Sequence, residues 1–137
     1  MRPSPRDLAE LDRAAIAALE RAYAPYSRFR VGAALLTDDG RIHAAGNVEN
    51  ASYPVGLCAE RAAIAVAIAA GARRILAVSI ATARSRPVAP CGMCRQALVE
   101  HAGDIPVRLV TRRGRRRVLR LGALLPAAFG PSALAGR

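Results

Sequence analysis

Residues 74–83 read RILAVSIATA, and after Arg74 the run carries no charged side chain. Its isoleucines and valine favour extended backbone. An apolar run this nearly continuous predicts a strand buried on both faces, because a strand with one wet face alternates instead. Two buried faces need two covering layers, so the rest of the chain must supply helices for both sides of a sheet.

The flanking segments supply them. Leu8, Leu11, Ala15, Leu19 and Tyr23 recur at helical spacing, which predicts a helix over 6–23 that Pro25 stops. FRVGAALL (29–36) and RIHAAGNVEN (41–50) read as two strands joined by a turn at Asp38-Asp39-Gly40. An alanine-rich helix is expected from Cys58 to about Ala70, with Gly71 ending it, and another from near Cys91 to about His101. IPVRLVT (105–111) and RRVLRLG (116–122) read as the last strands, and ALLPAAFG (123–130) as a helical turn and tail. Only RRGRRR separates the last two strands. So short a link permits an antiparallel pair alone, since a parallel neighbour needs a crossover of about a dozen residues. The expectation is an α/β fold in one domain spanning residues 1–137, with no internal repeat and no linker.

The longest apolar run, Ala62 to Ala72, is 11 residues between two arginines, too short to span a bilayer. The N-terminal stretch has scattered charges and no apolar core, so no secretory signal is read there. Three cysteines cannot all pair within one chain, and a reducing, cytoplasmic setting is the default. The net charge of +11 comes entirely from arginine on the basic side and invites a nucleic-acid reading. Only Arg112 to Arg117 form a dense cluster, however, and no aromatic residue interleaves with them to stack bases. A solvated hairpin is the better reading of that run.

PCGMCRQ (90–96) places Cys91 and Cys94 at the start of one predicted helix, and CAERAAI (58–64) places Cys58 at the start of another. Helix N-termini favour thiolate, and three thiolates side by side suit zinc. A structural zinc takes four protein ligands; a catalytic one takes three and leaves the fourth place to water. The count of three therefore points to catalysis. A redox pair would account for Cys91 and Cys94 but not for Cys58, nor for a glutamate two residues after it. Glu60, taken alone, is an ordinary acid of a helix N-terminus. Beside a metal it is placed to carry the proton of an activated water. Arg61 would offset the net negative charge of three thiolates around a divalent cation.

Other residues are weaker signals. Asn47 and Glu49 stand two apart on a predicted strand, so both face one side and could clamp a diol; a turn former and a solvated edge are the plain alternatives. Phe29 alone would be core. Phe129, in a glycine- and proline-bearing tail, needs a surface to cover it, as a subunit interface would. His43 and His101 have no ligand spacing.

From about Leu11 to Ala133 the chain resembles the small, homotetrameric zinc-dependent cytidine deaminases. YAPYSRFRVGAALLTDDGRI, GNVENASYPVGLCAERAAI, PCGMCRQ and LLPAAFG look like that family's segments, in order. The resemblance implies a three-layer α/β/α fold with a central mixed five-stranded sheet, and one Zn²⁺ per subunit. It implies Cys58, Cys91 and Cys94 as zinc ligands, Glu60 as general acid/base, and Arg61 as a donor to the zinc-bound thiolates. Asn47 and Glu49 would hold the ribose hydroxyls, while Phe29 and the Ala59 backbone would meet the pyrimidine. Phe129 would reach a neighbouring subunit's site from a tail of about residues 126–137, giving a homotetramer with shared active sites. The implied reaction is hydrolytic deamination of cytidine and deoxycytidine by a zinc-bound hydroxide, in pyrimidine salvage. Met93 stands where the family often has a smaller residue.

Three other readings compete. A deaminase of modified cytosine nucleosides, of the blasticidin type, is nearest in chemistry. A deaminase of single-stranded nucleic acid fits less well: the first metal ligand is cysteine rather than the histidine of the H-x-E signature, and the last two strands read as antiparallel. A non-catalytic zinc module acting through its arginine hairpin would need neither an open fourth ligand position nor Glu60.

Overall fold

The computed structural model describes residues 2–135; the last two positions of the predicted tail, 136 and 137, lie outside the described residues. The order is α1 (Pro5–Leu19), β1 (Val31–Thr37), β2 (Ile42–Gly46), α2 (Ala59–Ala69), β3 (Ile75–Thr82), α3 (Gly92–His101), β4 (Pro106–Thr111), β5 (Arg116–Arg120), α4 (Leu121–Leu124) and α5 (Pro131–Leu134). A single 3₁₀ turn, Tyr53–Val55, precedes α2.

The five strands form one mixed sheet in the order β2-β1-β3-β4-β5. β1 pairs antiparallel with β2 and β3, β3 runs parallel to β4, and β4 with β5 is antiparallel as the short arginine link requires. β3 is the middle strand, and its alternation sorts the core. Val78 and Ile80 face α2 and α3, with Ala33, Leu35, Val107 and Leu109. Ala77 and Ala81 face α1, with Ala34, Leu36 and Val110. Two layers of helix thus enclose the sheet, which is the three-layer α/β/α arrangement.

Why α1 lies so close to the sheet is written in two glycines. Gly32 of β1 and Gly46 of β2 are cross-strand partners under the C-terminal half of α1. A β-carbon on Gly32 would come within 2.1 Å of the Ala15 carbonyl oxygen and 2.3 Å of the Leu19 nitrogen; one on Gly46 would come within 2.7 Å of the Ala22 α-carbon. The obstructing atoms belong to backbone, so the helix itself would have to move. Gly32→Ala is expected to destabilise the fold by about 1–3 kcal/mol in chemical denaturation; a loss below about 0.5 kcal/mol would show that α1 has slack the packing does not reveal.

Several boundaries differ from the sequence reading. The first helix ends at Leu19, not Tyr23, because the Tyr23 N–H donates to the Asn47 carbonyl at 2.8 Å and Tyr23 bridges Val48. The second strand stops at Gly46, so Asn47 and Glu49 lie beyond it, flanking Val48, whose bridges run to Tyr23 and Leu57. The last strand ends at Arg120, where the chain turns into α4. No described helix is long and apolar enough to cross a membrane. Residues 112–117 are exposed, as a solvated hairpin should be, although Arg112 and Arg116 reach back to Glu20 and Asp12 of the α1 region.

Candidate active site

Cys58 and Cys91 are the N-cap residues of α2 and α3, each in extended backbone and with its side chain making no capping bond. The helices begin on schedule through their backbones: the Ala62 N–H donates to the Cys58 carbonyl at 3.0 Å, and the Arg95 N–H to that of Cys91 at 3.1 Å. Both thiols are therefore left for other work. Cys94 lies one turn into α3 and is fully buried. Because α2 and α3 pack on the same face of the sheet, through Ala59, Ala63, Ala67 and Leu98, their N-termini meet. The three sulfur atoms lie within 4.8 Å of one another, and none is in a disulfide.

Glu60 is 4% exposed and, with Cys58 and Cys91, lines a cleft. Burial raises its carboxyl above the ordinary glutamate range, against the pull of its own backbone N–H, the Cys94 thiol and Arg61. Burial also pushes the Cys94 thiol up, helped by the charges of Glu60 and Cys58. In Cys91 burial is outweighed by the Cys94 backbone N–H and the neighbouring thiols, and its thiol falls below the usual range. Arg61 donates through Nη2 to the Gly56 carbonyl at 3.2 Å, while its buried Nε has no partner. Burial opposes the Arg61 charge, but the sulfurs of Cys58 and Cys94 more than restore it.

These groups fit zinc. The donors are three soft sulfurs at one point, a count that leaves a coordination place open. The orphaned guanidinium nitrogen beside them is a ready donor to a thiolate that a metal has deprotonated.

The cleft encloses about 540 Å³, within the range of small-molecule sites, and is lined mainly by apolar surface. Phe29, Asn47, Glu49 and Ala59 all line it. Asn47 is buried and acts as a clasp: its Oδ1 accepts from the Val31 N–H at 2.8 Å, and its Nδ2 donates to the Phe29 carbonyl at 3.0 Å. Each half of the amide keeps one hydrogen-bonding valence. Glu49 Oε1 accepts from the backbone N–H groups of Tyr26 (3.0 Å) and Ser27 (3.1 Å), and Oε2 accepts from the Ser27 hydroxyl. The Ser27 bonds hold the Glu49 carboxyl below its ordinary range, so it is ionised at neutral pH. Ser27 in turn accepts from the Phe29 N–H at 3.0 Å. Asn47 and Glu49 thus hold in place the loop that carries Phe29.

Phe129 does not line its own chain's cleft. It is 60% exposed, with its carbonyl accepting from Gln96 Nε2 at 2.8 Å. Met93 stands at the cleft rim, well exposed. The sequence reading missed Ser27, although YAPYS was among the quoted segments, and Arg95, which ties the Pro90 carbonyl (2.8 Å) to that of Leu124 (3.0 Å). It also missed Tyr53, a rim residue whose ring centroid lies 6.0 Å from that of Tyr26.

Fold and site together define an α/β protein with a three-thiol metal centre and a buried acid beside it. Residues 5–108 match the cytidine and deoxycytidylate deaminase zinc-binding region, and the chain belongs to that family. It is 46% identical over 116 residues to a cytidine deaminase of Halalkalibacterium halodurans, covering 84% of this chain and 88% of that one. It is 47% identical over 114 residues to a cytidine deaminase of Mycobacterium tuberculosis, covering 80% and 79%. The crystal structure of cytidine deaminase from Burkholderia pseudomallei superposes with a TM-score of 0.83 at 48% identity, covering 88% of this chain and 98% of that one. Zinc is accordingly the cofactor, one ion per subunit, and the Cys58–Cys91–Cys94 cluster is suited to hold it.

Proposed function

We propose that this chain hydrolyses cytidine and deoxycytidine to uridine and deoxyuridine with release of ammonia, as a cytoplasmic enzyme of pyrimidine salvage. The observation that carries the reading is a buried carboxyl, Glu60, lining one cleft with Cys58 and Cys91, whose thiols converge with that of buried Cys94. Similarity to cytidine deaminases over more than four-fifths of the chain supports it.

Cys58, Cys91 and Cys94 would hold the zinc, which supplies Lewis-acid activation of water at neutral pH. Glu60 accepts a proton from the attacking water and delivers it to ring nitrogen N3 as the oxygen adds to C4. Glu60 then carries the remaining hydroxyl proton to the amino group; the C4–N bond breaks, ammonia leaves, and C4 is left as the carbonyl of uridine. A raised carboxyl pKa suits a group that must both take and return a proton. Arg61 balances the thiolate charge. Phe29 and the Ala59 backbone position the base, and Asn47 and Glu49 turn their unused valences to the sugar hydroxyls. Phe129, solvent-exposed in the isolated chain, is assigned to the cleft of a neighbouring subunit in a homotetramer. The whole of residues 1–137 serves as one catalytic domain.

The test is to mix zinc-loaded protein with cytidine and follow the fall in ultraviolet absorbance while assaying ammonia. Conversion that is insensitive to added salt is expected, since the nucleoside is uncharged. No conversion by protein retaining one zinc per chain would sink the nucleoside reading.

A further inference from the structure

Phe29 stands between two clefts. On one side it lines the candidate active site; on the other it lines a smaller cleft of about 260 Å³, completed by Arg28, Arg30, Ala83, Arg84 and Arg112. Three separate segments bring these arginines together: the approach to β1, the exit from β3 and the start of the β4–β5 hairpin. Thr82 ties the last two, its carbonyl accepting from the Arg112 N–H at 3.0 Å and its hydroxyl from the Arg84 N–H at 3.3 Å. The Arg84 guanidinium lies over the Phe29 ring, 4.9 Å from its centroid. Arg28 adopts a left-handed backbone (φ +57°), a conformation that crowds its β-carbon.

The charges of this cleft are not balanced from within. Arg112 pairs with Glu20 at 2.6 Å, and Arg30 reaches only the Glu20 carbonyl, at 3.3 Å. Among the described residues, no acidic side chain lies within ion-pair distance of Arg28, Arg30 or Arg84. Like charges converging on a concave surface repel one another and focus a positive field that a counter-anion relieves. Guanidinium forks match the oxygens of a phosphate better than a single point charge does. A nucleic-acid strand would need further stacking surfaces along its path, and Phe29 is the only ring in this cleft.

The geometry points to a phosphate-binding subsite formed by Arg28, Arg30, Arg84 and Arg112, sharing the Phe29 wall with the candidate active site. The phosphate belongs either to a cytosine nucleotide whose base enters the larger cleft or to free orthophosphate. The nucleotide arm rests on the nucleoside reading above; the anion site does not.

Calorimetric titration of the zinc-loaded protein, at ionic strength held constant with chloride, tests it with sodium phosphate, cytidine 5′-monophosphate and cytidine. Saturable phosphate binding is expected. It should weaken about ten- to a hundredfold in Arg84→Gln, the loss of one charge-assisted contact. Arg28→Gln, which leaves the Phe29 ring its cation, should act in the same direction while cytidine binding is unchanged. Nucleotide binding that exceeds that of phosphate and depends on Arg84 identifies the nucleotide as the source; equal affinities identify orthophosphate. If neither anion binds saturably, or if both bind Arg84→Gln and Arg28→Gln as they bind the parent, the inference is overturned. So it is if only a single-stranded oligonucleotide binds. Phosphate titration needs no turnover, so a protein inert toward cytidine would still reveal the anion site.

Discussion

Glu60→Gln is expected to lower kcat for cytidine by about 10²–10⁴-fold while one zinc per chain and the unfolding midpoint are retained. Glutamine has nearly the shape of glutamate, so the packing at the start of α2 is undisturbed, but its amide can neither take a proton from water nor return one. Loss of turnover with zinc retained separates this role from metal binding, because replacement of a cysteine of the triad would lose the metal as well. Steady-state kinetics with metal analysis checks it. A variant within tenfold of the parent would remove Glu60 from the proton path.

Asp12→Ala is expected to cost about 3–5 kcal/mol of stability, far more than its place on an outer helix suggests. Its carboxylate accepts from Arg108 Nε at 2.8 Å and Nη2 at 2.7 Å, from the Ser79 hydroxyl, and from Arg116 Nη1 at 3.5 Å. Arg108 is 7% exposed and lies on the apolar α1 face of β4. Removing Asp12 alone would strand that guanidinium. Replacing both partners by leucine should recover most of the loss, since the pair contributes little beyond what a packed apolar pair would. Burial raises the Asp12 carboxyl, but Arg108, Ser79 and Arg116 more than reverse this, so its folded pKa is lowered. Its contribution is therefore full above the ordinary aspartate value and disappears as pH falls through the lowered one. Acid unfolding of the Asp12→Leu/Arg108→Leu chain should accordingly depend less steeply on pH. Chemical denaturation decides the matter: a cost below about 1 kcal/mol for Asp12→Ala would mean the clasp is ordinary surface pairing.

This clasp also shows where sequence reading stops. Asp12 was legible as one of the acids between the apolar positions of α1, and Arg108 as a charge inside IPVRLVT, but nothing in either segment says that they meet. They are 96 residues apart and are joined because α1 crosses the face of β3 and β4 to which Ser79 and Arg108 point. Asn47 is a similar case. Its place near a ribose-binding pattern was readable, whereas its amide bonds to Val31 and Phe29 depend on the chain leaving β2 at Gly46.

The sequence by itself determined the elements and the chemistry. Apolar periodicity set α1, a nearly continuous apolar run set β3, the arginine-rich link forced β4 and β5 antiparallel, and three cysteines with Glu60 specified a three-sulfur centre with an acid beside it. These are local properties, decided by residue type and spacing along the chain. The tertiary structure alone decided that α2 and α3 begin side by side, which gathers the sulfurs within 4.8 Å, and that Phe29 divides an apolar cleft from an arginine-lined one. It also put Phe129 outside its own cleft. Those facts depend on strand order and on which face of the sheet each helix covers, and chain-distant contacts of that kind leave no period in the sequence to read.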